Sequence, residues 1–359
     1  MALSRARQPP RCDNSPVHIA LDATYAVGRE LTGVGVYSRE ILHGLPALHP
    51  EARFTFCYRP NRFLRSFREP IPRGAHRRPL LESGPPRSAG IFHALNQRVP
   101  GTKHKRSVTT FHDLFVLTGE YSTKEFRDSF AEQARHAAER SDAIICVSQF
   151  TADQVASLLN VEKERLHVVH HGVRGPEEQP PNDGREPLIL SVGSIQKRKN
   201  TARLVEAFEL TPPGWKLILA GAAGYEAESI LQRIAESPRR QDITVTGYVT
   251  QAELEHLYAK ASLFAFPSLD EGFGIPVIEA MAWGVPVITS DRSALLEISG
   301  DAALHVDPEN IEELATALQT AMENHGLRNE LAARGLDWST KFTLRAAVEK
   351  TWNVYRQFL

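Results

Sequence analysis

Short apolar, β-branched runs alternate with longer stretches of helical period along the whole chain. No other feature constrains the fold as much, because this is the pattern of βαβ units built around parallel sheets. In the first half the runs fall at residues 17–23, 54–58, 91–95, 108–112, 143–147 and 167–169. In the second half they fall at 187–192, 215–220, 243–246, 263–267, 285–289 and 303–306, with helices expected over 201–210, 252–260 and 311–324. Six strands per half predict an α/β protein with two Rossmann-like domains. A length of 359 residues agrees, at roughly 100–200 residues per domain. The densest run of turn formers, Gly175, Pro176, Pro180, Pro181, Asn182, Asp183 and Gly184, places a linker at 175–187. The expected organisation is therefore 1–174, linker 175–187, 188–342, and a last amphipathic helix over 343–359 that packs back on the first domain.

Composition excludes several classes. With 42% hydrophobic and 24% charged residues, the chain is neither disordered nor collagenous. No run approaches the roughly 18 apolar residues of a spanning helix, and residues 1–14 hold arginines and prolines without an apolar signal core. A cytoplasmic protein is expected. Cys12, Cys57 and Cys146 are widely spaced and form no CxxC pair, so reduced thiols are expected rather than disulfides or zinc. Charge is uneven: residues 52–106 carry 13 Lys and Arg against Glu69 and Glu82 alone, a patch that would attract polyanions.

The chemistry points to residues 268–284. A strand ends at Ser268, a loop carries Glu271, Gly272 and Gly274, Pro276 opens a helix, and Gly284 ends it. Glycines admit a ligand close to backbone N–H groups, and a helix N-terminus offers free donors, so the loop suits a diphosphate. Glu271 and Glu279 are poor phosphate ligands and better acceptors of sugar hydroxyls; the plainer alternative is a solvated loop acid and a first-turn helix acid. Taken together, the segment resembles the retaining nucleotide-sugar glycosyltransferases of family four, whose Glu-x7-Glu motif is spelled here by Glu271 and Glu279. That likeness implies two Rossmann-like domains facing across a cleft.

Other motifs follow in that family's order from Leu21 to about Trp338. The turn from Gly193 to Asn200 is similar to the family's Gly-x4-Arg-Lys-Asn turn, which makes Arg198 and Lys199 ligands of the donor diphosphate. Two cations at a helix start after a parallel strand suit that role, although a solvated basic run including Lys197 would look the same. Many members carry Arg where this chain has Ser194, so the cations rest on Arg198 and Lys199. Gly33 and Gly35 resemble the family's first glycine loop. They lack the full Gly-x-Gly-x-x-Gly pattern, and no acid ends the next strand, which disfavours a nicotinamide dinucleotide and an oxidoreductase. His112 resembles the family's sugar-side histidine, with Asp113 as its orienter or the next helix cap. His170, His171 and Gly172 are read as structural. The likeness implies catalytic His112, Lys199 and Glu271. It implies a donor site of Gly33, Gly35, Arg198, Lys199, Tyr248, Val249, Glu271, Gly272, Phe273, Gly274, Ile275 and Glu279, with no metal and no cofactor.

The motif combination looks most like members that transfer mannose from GDP-mannose, as co-substrate, to a glycan or lipid-linked acceptor in bacterial surface-polysaccharide assembly. The alternatives are a UDP-sugar (glucose-type) transferase and a same-fold epimerase, phosphorylase or nucleotide-sugar-binding protein. Nucleic acid is not expected, because no reading motif accompanies the basic stretch. Within residues 60–80, Phe63, Leu64 and Phe67 alternate with Arg62, Arg65 and Arg68. This is either a short amphipathic turn for an anionic membrane surface at the inner leaflet or a loop whose phenylalanines complete the core, cut off by Pro70 and Pro72.

Overall fold

The alternation folds into two parallel sheets in a computed structural model that describes residues 16–28, 31, 33–181 and 184–359. The first sheet holds β1 (His18–Asp22), β2 (Arg53–Tyr58), β3 (Ala75–Pro79), β4 (Ile91–Ala94), β5 (Ser107–Phe111), β6 (Ala143–Cys146) and β7 (Leu166–Val168) in the order β3-β2-β1-β4-β5-β6-β7. The second holds β8 (Glu186–Val192), β9 (Lys216–Ala220), β10 (Ile243–Gly247), β11 (Ala261–Phe266), β12 (Val287–Ser290) and β13 (Leu304–Val306) in the order β10-β9-β8-β11-β12-β13. Strand order reverses between β1 and β4 and between β8 and β11, and such reversals open a crevice beyond the strands' carboxyl ends. The motif turns follow β1, β5, β8 and β11, so both crevices are lined by them. β5 and β6 are buried at every residue, as parallel strands covered on both faces must be. Cys57 and Cys146 are buried free thiols, whereas Cys12, the signal expectation for 1–14, Asn182 and Asp183 lie outside the described residues.

The first sheet has seven strands rather than the expected six. The additional strand, β3, falls inside the stretch read as a loop or amphipathic turn. Its sequence AHRRP is mostly exposed, and it pairs only with β2 at the sheet edge. Edge strands are commonly charged and proline-bearing, so β3 carries no apolar period to read. Ahead of it the helix Pro60–Ser66 divides its side chains. Phe63 and the later Ile71 pack on the core, while Leu64 (80% exposed) and Phe67 (62% exposed) face outward.

The helix Leu344–Arg356 lies against the helix Gly33–Leu48 of the first domain. Val348, Trp352, Val354 and Tyr355 join the first domain's core. This crossing depends on Gly44, where a Cβ would stand 2.4 Å from Val348 Cγ2. The outgoing and returning chains run side by side, with the Val173 amide donating to Phe342 O at 2.9 Å. Gly172 admits this approach, since a Cβ there would be 2.5 Å from Leu344 N.

Candidate active site

β8 runs into Gly193, whose φ of +145° a side chain would strain. Lys199 Cε passes 3.1 Å from the position of a Cβ there. The chain then closes through a 3-10 turn, Lys197–Lys199, and Asn200 at φ 58°, and only afterwards enters the helix Thr201–Glu209. Arg198 and Lys199 therefore do not open a helix, as the sequence reading placed them. The left-handed residue interrupts the helical path, and the tight turn directs both side chains inward. The Leu269 amide donates to Arg198 O at 2.8 Å and pins the turn to the loop after β11.

That loop brings Glu271 to the two cations. Lys199 Nζ donates to Glu271 Oε1 at 2.5 Å, and Arg198 Nη1 lies 2.9 Å from the same oxygen. Arg198 also donates to Asp270 O at 2.5 Å, and its guanidinium stacks 4.1 Å from the Phe115 ring of the first domain. Glu271 was expected to be free for sugar hydroxyls; here it is the shared counter-ion of both cations. Two buried cations without a counter-charge would cost several kcal/mol, roughly, for each ion, so the carboxylate turns inward. Burial pushes the Glu271 carboxyl up, but Arg198 and then Lys199 outweigh it and hold it down at about 2. Glu279 sits differently, in the helix Ile275–Ala282, where burial raises its pKa and Tyr258 donates to it at 3.0 Å.

At Gly272 the second domain's loop closes tightly on the first domain. A Cβ there would stand 1.7 Å from His112 O and 2.8 Å from Asp113 Cβ. Ser148 and Thr151 donate to Gly272 O at 2.7 and 3.1 Å. Glu297 accepts from the amides of Gln149 and Phe150 at 2.8 and 3.0 Å, at the start of the helix Gln149–Leu159. Gly33 meets the loop too, its Cβ position lying 3.8 Å from Ile275 Cδ1. Gly35 does not reach it: a Cβ there would be 2.9 Å from Tyr25 O, so this glycine serves packing inside its own domain. Gly274, at φ +94°, turns the loop into the helix with Pro276 in the first turn.

Tyr248 and Val249 follow β10, beyond the bridge between Gly221 and Gly247. Gly221 in turn lies against Gly193, where a Cβ would stand 2.0 Å from Gly193 O. Tyr248 is exposed and Val249 half-buried. The turns after β8, β9 and β10 thus line one end of the sheet. Between Gly193, Lys199 and Phe266 a cavity of about 10 Å³ remains, room for about one water.

On the facing wall, His112 Nε2 donates to Leu95 O at 2.9 Å, and burial lowers its pKa to about 4, so the ring is neutral. Tyr37 presents its edge to His112 at 4.8 Å. The Tyr37 hydroxyl bonds Thr110 at 3.0 Å, Thr110 bonds His93 at 2.9 Å, and His93 bonds Tyr355 of the returning helix at 2.6 Å. Sequence reading missed this chain, because its members share no motif. Asp113 is not a cap: the helix Phe115–Thr118 is preceded by Leu114 without a side-chain cap. Burial instead pushes the Asp113 carboxyl up to about 6. Among the described residues no three His, Cys, Asp or Glu side chains converge as metal ligands.

Residues 31–174 match the model described as Glycosyltransferase Family 4, and residues 176–338 match Glycosyl transferases group 1. The chain is 31% identical over 283 residues to the O-antigen chain mannosyltransferase B of Escherichia coli, covering 74% of each protein. Its fold is similar to that of sucrose-phosphate synthase from Thermosynechococcus elongatus, with a TM-score of 0.78 at 22% identity over 95% of this chain and 98% of that one. It is also similar to Anabaena HepE in complex with UDP-glucose, with a TM-score of 0.74 at 16% identity over 95% and 99%. With both domains matched and a relative at that identity, the chain belongs to the glycosyltransferases, of family 4 in its first domain and group 1 in its second, on the two-Rossmann GT-B architecture.

Proposed function

We propose that this protein is a retaining, metal-independent glycosyltransferase that moves a hexose, with mannose from GDP-mannose as the first choice, to a glycan or lipid-linked acceptor in bacterial surface-polysaccharide assembly. The observation that carries the reading is the buried pair Arg198 and Lys199, held by one carboxylate at the strand ends. A donor diphosphate can take over both cations and release Glu271 to accept hydroxyls of the sugar. The C1–O bond to the phosphate then breaks with its electron pair going to the phosphate oxygen. Arg198, Lys199 and the free N–H groups at the start of the helix Ile275–Ala282 stabilise that charge. The acceptor oxygen bonds C1 on the same face, and its proton passes to the departing phosphate. Neutral His112 serves as a hydrogen-bonding group rather than a cation, and Glu279 accepts from donor hydroxyls. The O-antigen relative supports mannose and a polysaccharide product. The HepE complex makes UDP-glucose the donor to compare. Transfer and hydrolysis are measured with GDP-mannose, GDP-glucose, UDP-glucose and UDP-galactose in parallel; turnover of none of them would remove the reading.

The acceptor side includes an anionic membrane surface at the cytoplasmic face. Leu64 and Phe67 project from the first domain at 80% and 62% exposure, beside exposed Arg65, Arg68, Arg73 and Arg78. Apolar side chains would enter the lipid boundary while each arginine near the surface contributes about 1 kcal/mol. Flotation with anionic and neutral vesicles tests this. Salt-sensitive binding to the anionic ones, lost on changing Arg65, Arg68 and Arg73 to Glu, is expected; equal flotation of both proteins would make a soluble acceptor the better reading.

A further inference from the structure

His171 lies in the seam between the domains, and its packing explains its ring but not its nitrogens. It is 4% exposed. Tyr37 presents its edge at 4.9 Å, His112 stacks parallel at 5.4 Å and 10°, and Phe273 of the second domain's loop presents its edge at 4.9 Å. Nδ1 is shut off from solvent and has no partner among the described residues. A phenyl ring would fill this place without leaving a polar atom unsatisfied, which an imidazole does at a cost.

The proton positions follow from the surroundings. Leu95 O can only accept, so His112 carries its proton on Nε2, and its Nδ1 is a bare acceptor. In His171 the sealed nitrogen is Nδ1, and an N–H placed there would stay without an acceptor. The proton therefore belongs on Nε2. Two parallel rings beside the Glu271 loop thus carry one acceptor and one donor nitrogen.

We propose that His171 is a specificity-determining residue of the transfer site: its Nε2–H donates to one hydroxyl of the hexose being transferred, while His112 Nδ1 accepts from another. The pair reads two hydroxyls with opposite polarity, and the edges of Tyr37 and Phe273 hold the rings in register. The inference rests on the nucleotide-sugar reading above. A site built to hydrogen-bond a hydroxyl discriminates strongly against an analogue lacking it, because its own polar group is then left unpaired.

Calorimetric titration of wild type, His171→Phe and His171→Gln with GDP, GDP-mannose, UDP and UDP-glucose tests it. His171→Phe should bind the nucleoside diphosphates as wild type does and lose about tenfold for the preferred nucleotide sugar, equivalent to ~1.4 kcal/mol. His171→Gln, which keeps a donor, should retain most of that affinity. Loss of diphosphate and sugar-nucleotide binding together, or of neither, would overturn the proposal. Should His171→Phe not fold, ¹⁵N-histidine spectra of wild type decide: the His171 Nε2–H signal, assigned with His171→Gln, should move with the nucleotide sugar and stay with the diphosphate alone. A signal unmoved by both, or moved equally by both, would overturn the assignment. If wild type binds none of the four compounds, the nucleotide-sugar reading itself fails and this inference falls with it.

Discussion

Replacing Glu271 by Gln keeps the shape of the side chain and removes the charge that Arg198 and Lys199 share. A carboxyl held at about 2 in the folded protein, against the ordinary Glu value, contributes about 3 kcal/mol at neutral pH. Loss of one partner from a buried ion cluster gives a similar figure, roughly 3–5 kcal/mol. For a domain of this size about 3 kcal/mol lowers the melting midpoint by about 6–12 °C. The pH dependence has a definite sign. Because the folded value is depressed, the contribution is complete above the unfolded carboxyl's pKa and fades as pH falls through about 2. Thermal melts of wild type and Glu271→Gln should therefore differ most at pH 7, draw together as pH falls below the ordinary Glu pKa, and coincide only near pH 2. GDP or UDP should raise the midpoint of the Gln protein more than that of wild type, because no internal carboxylate has to be displaced. Equal midpoints at pH 7, or a difference that persists unchanged at pH 3, would refute the counter-ion argument.

Lys199→Ala should lower turnover by about 100-fold or more, the scale for removing a group that stabilises developing charge, and Glu279→Ala should lower it through lost contacts to the donor hydroxyls, while circular dichroism stays unchanged for both. Near-wild-type transfer by either variant would remove it from the site. Gly272→Ala should abolish transfer while leaving the melting of each domain nearly intact, since its Cβ would stand 1.7 Å from His112 O and force the domains apart; small-angle scattering that shows no opening would count against this. Activity should survive EDTA, because Arg198, Lys199 and backbone N–H groups meet the diphosphate charge; loss on chelation with recovery on manganese would contradict it. The wild-type to His112→Gln activity ratio should stay constant from pH 8 to 5, since burial keeps His112 neutral down to about 4. A break in that ratio near the ordinary histidine pKa would show a titrating ring.

The alternation of short strands and helices was legible because strand and helix periods are local, written in neighbouring residues. The same holds for the turn at Gly193, the loop glycine at 274, and Pro276 at the helix start, each set by backbone conformation at one position. Strand β3 was not legible, because an edge strand needs no apolar face. The side-chain partnerships were not legible either. Glu271 meets Lys199 across 72 residues of sequence, and Tyr355 meets His93 across 262. Which charge answers which, and which ring nitrogen is left without a partner, depends on what desolvation leaves adjacent once two domains close on each other. Residue types and spacing determined that a glycine-bearing loop and two cations would stand at the strand ends. Only tertiary packing decided that Glu271 would neutralise those cations, and that His171 would lie beside His112 rather than in the core of one domain.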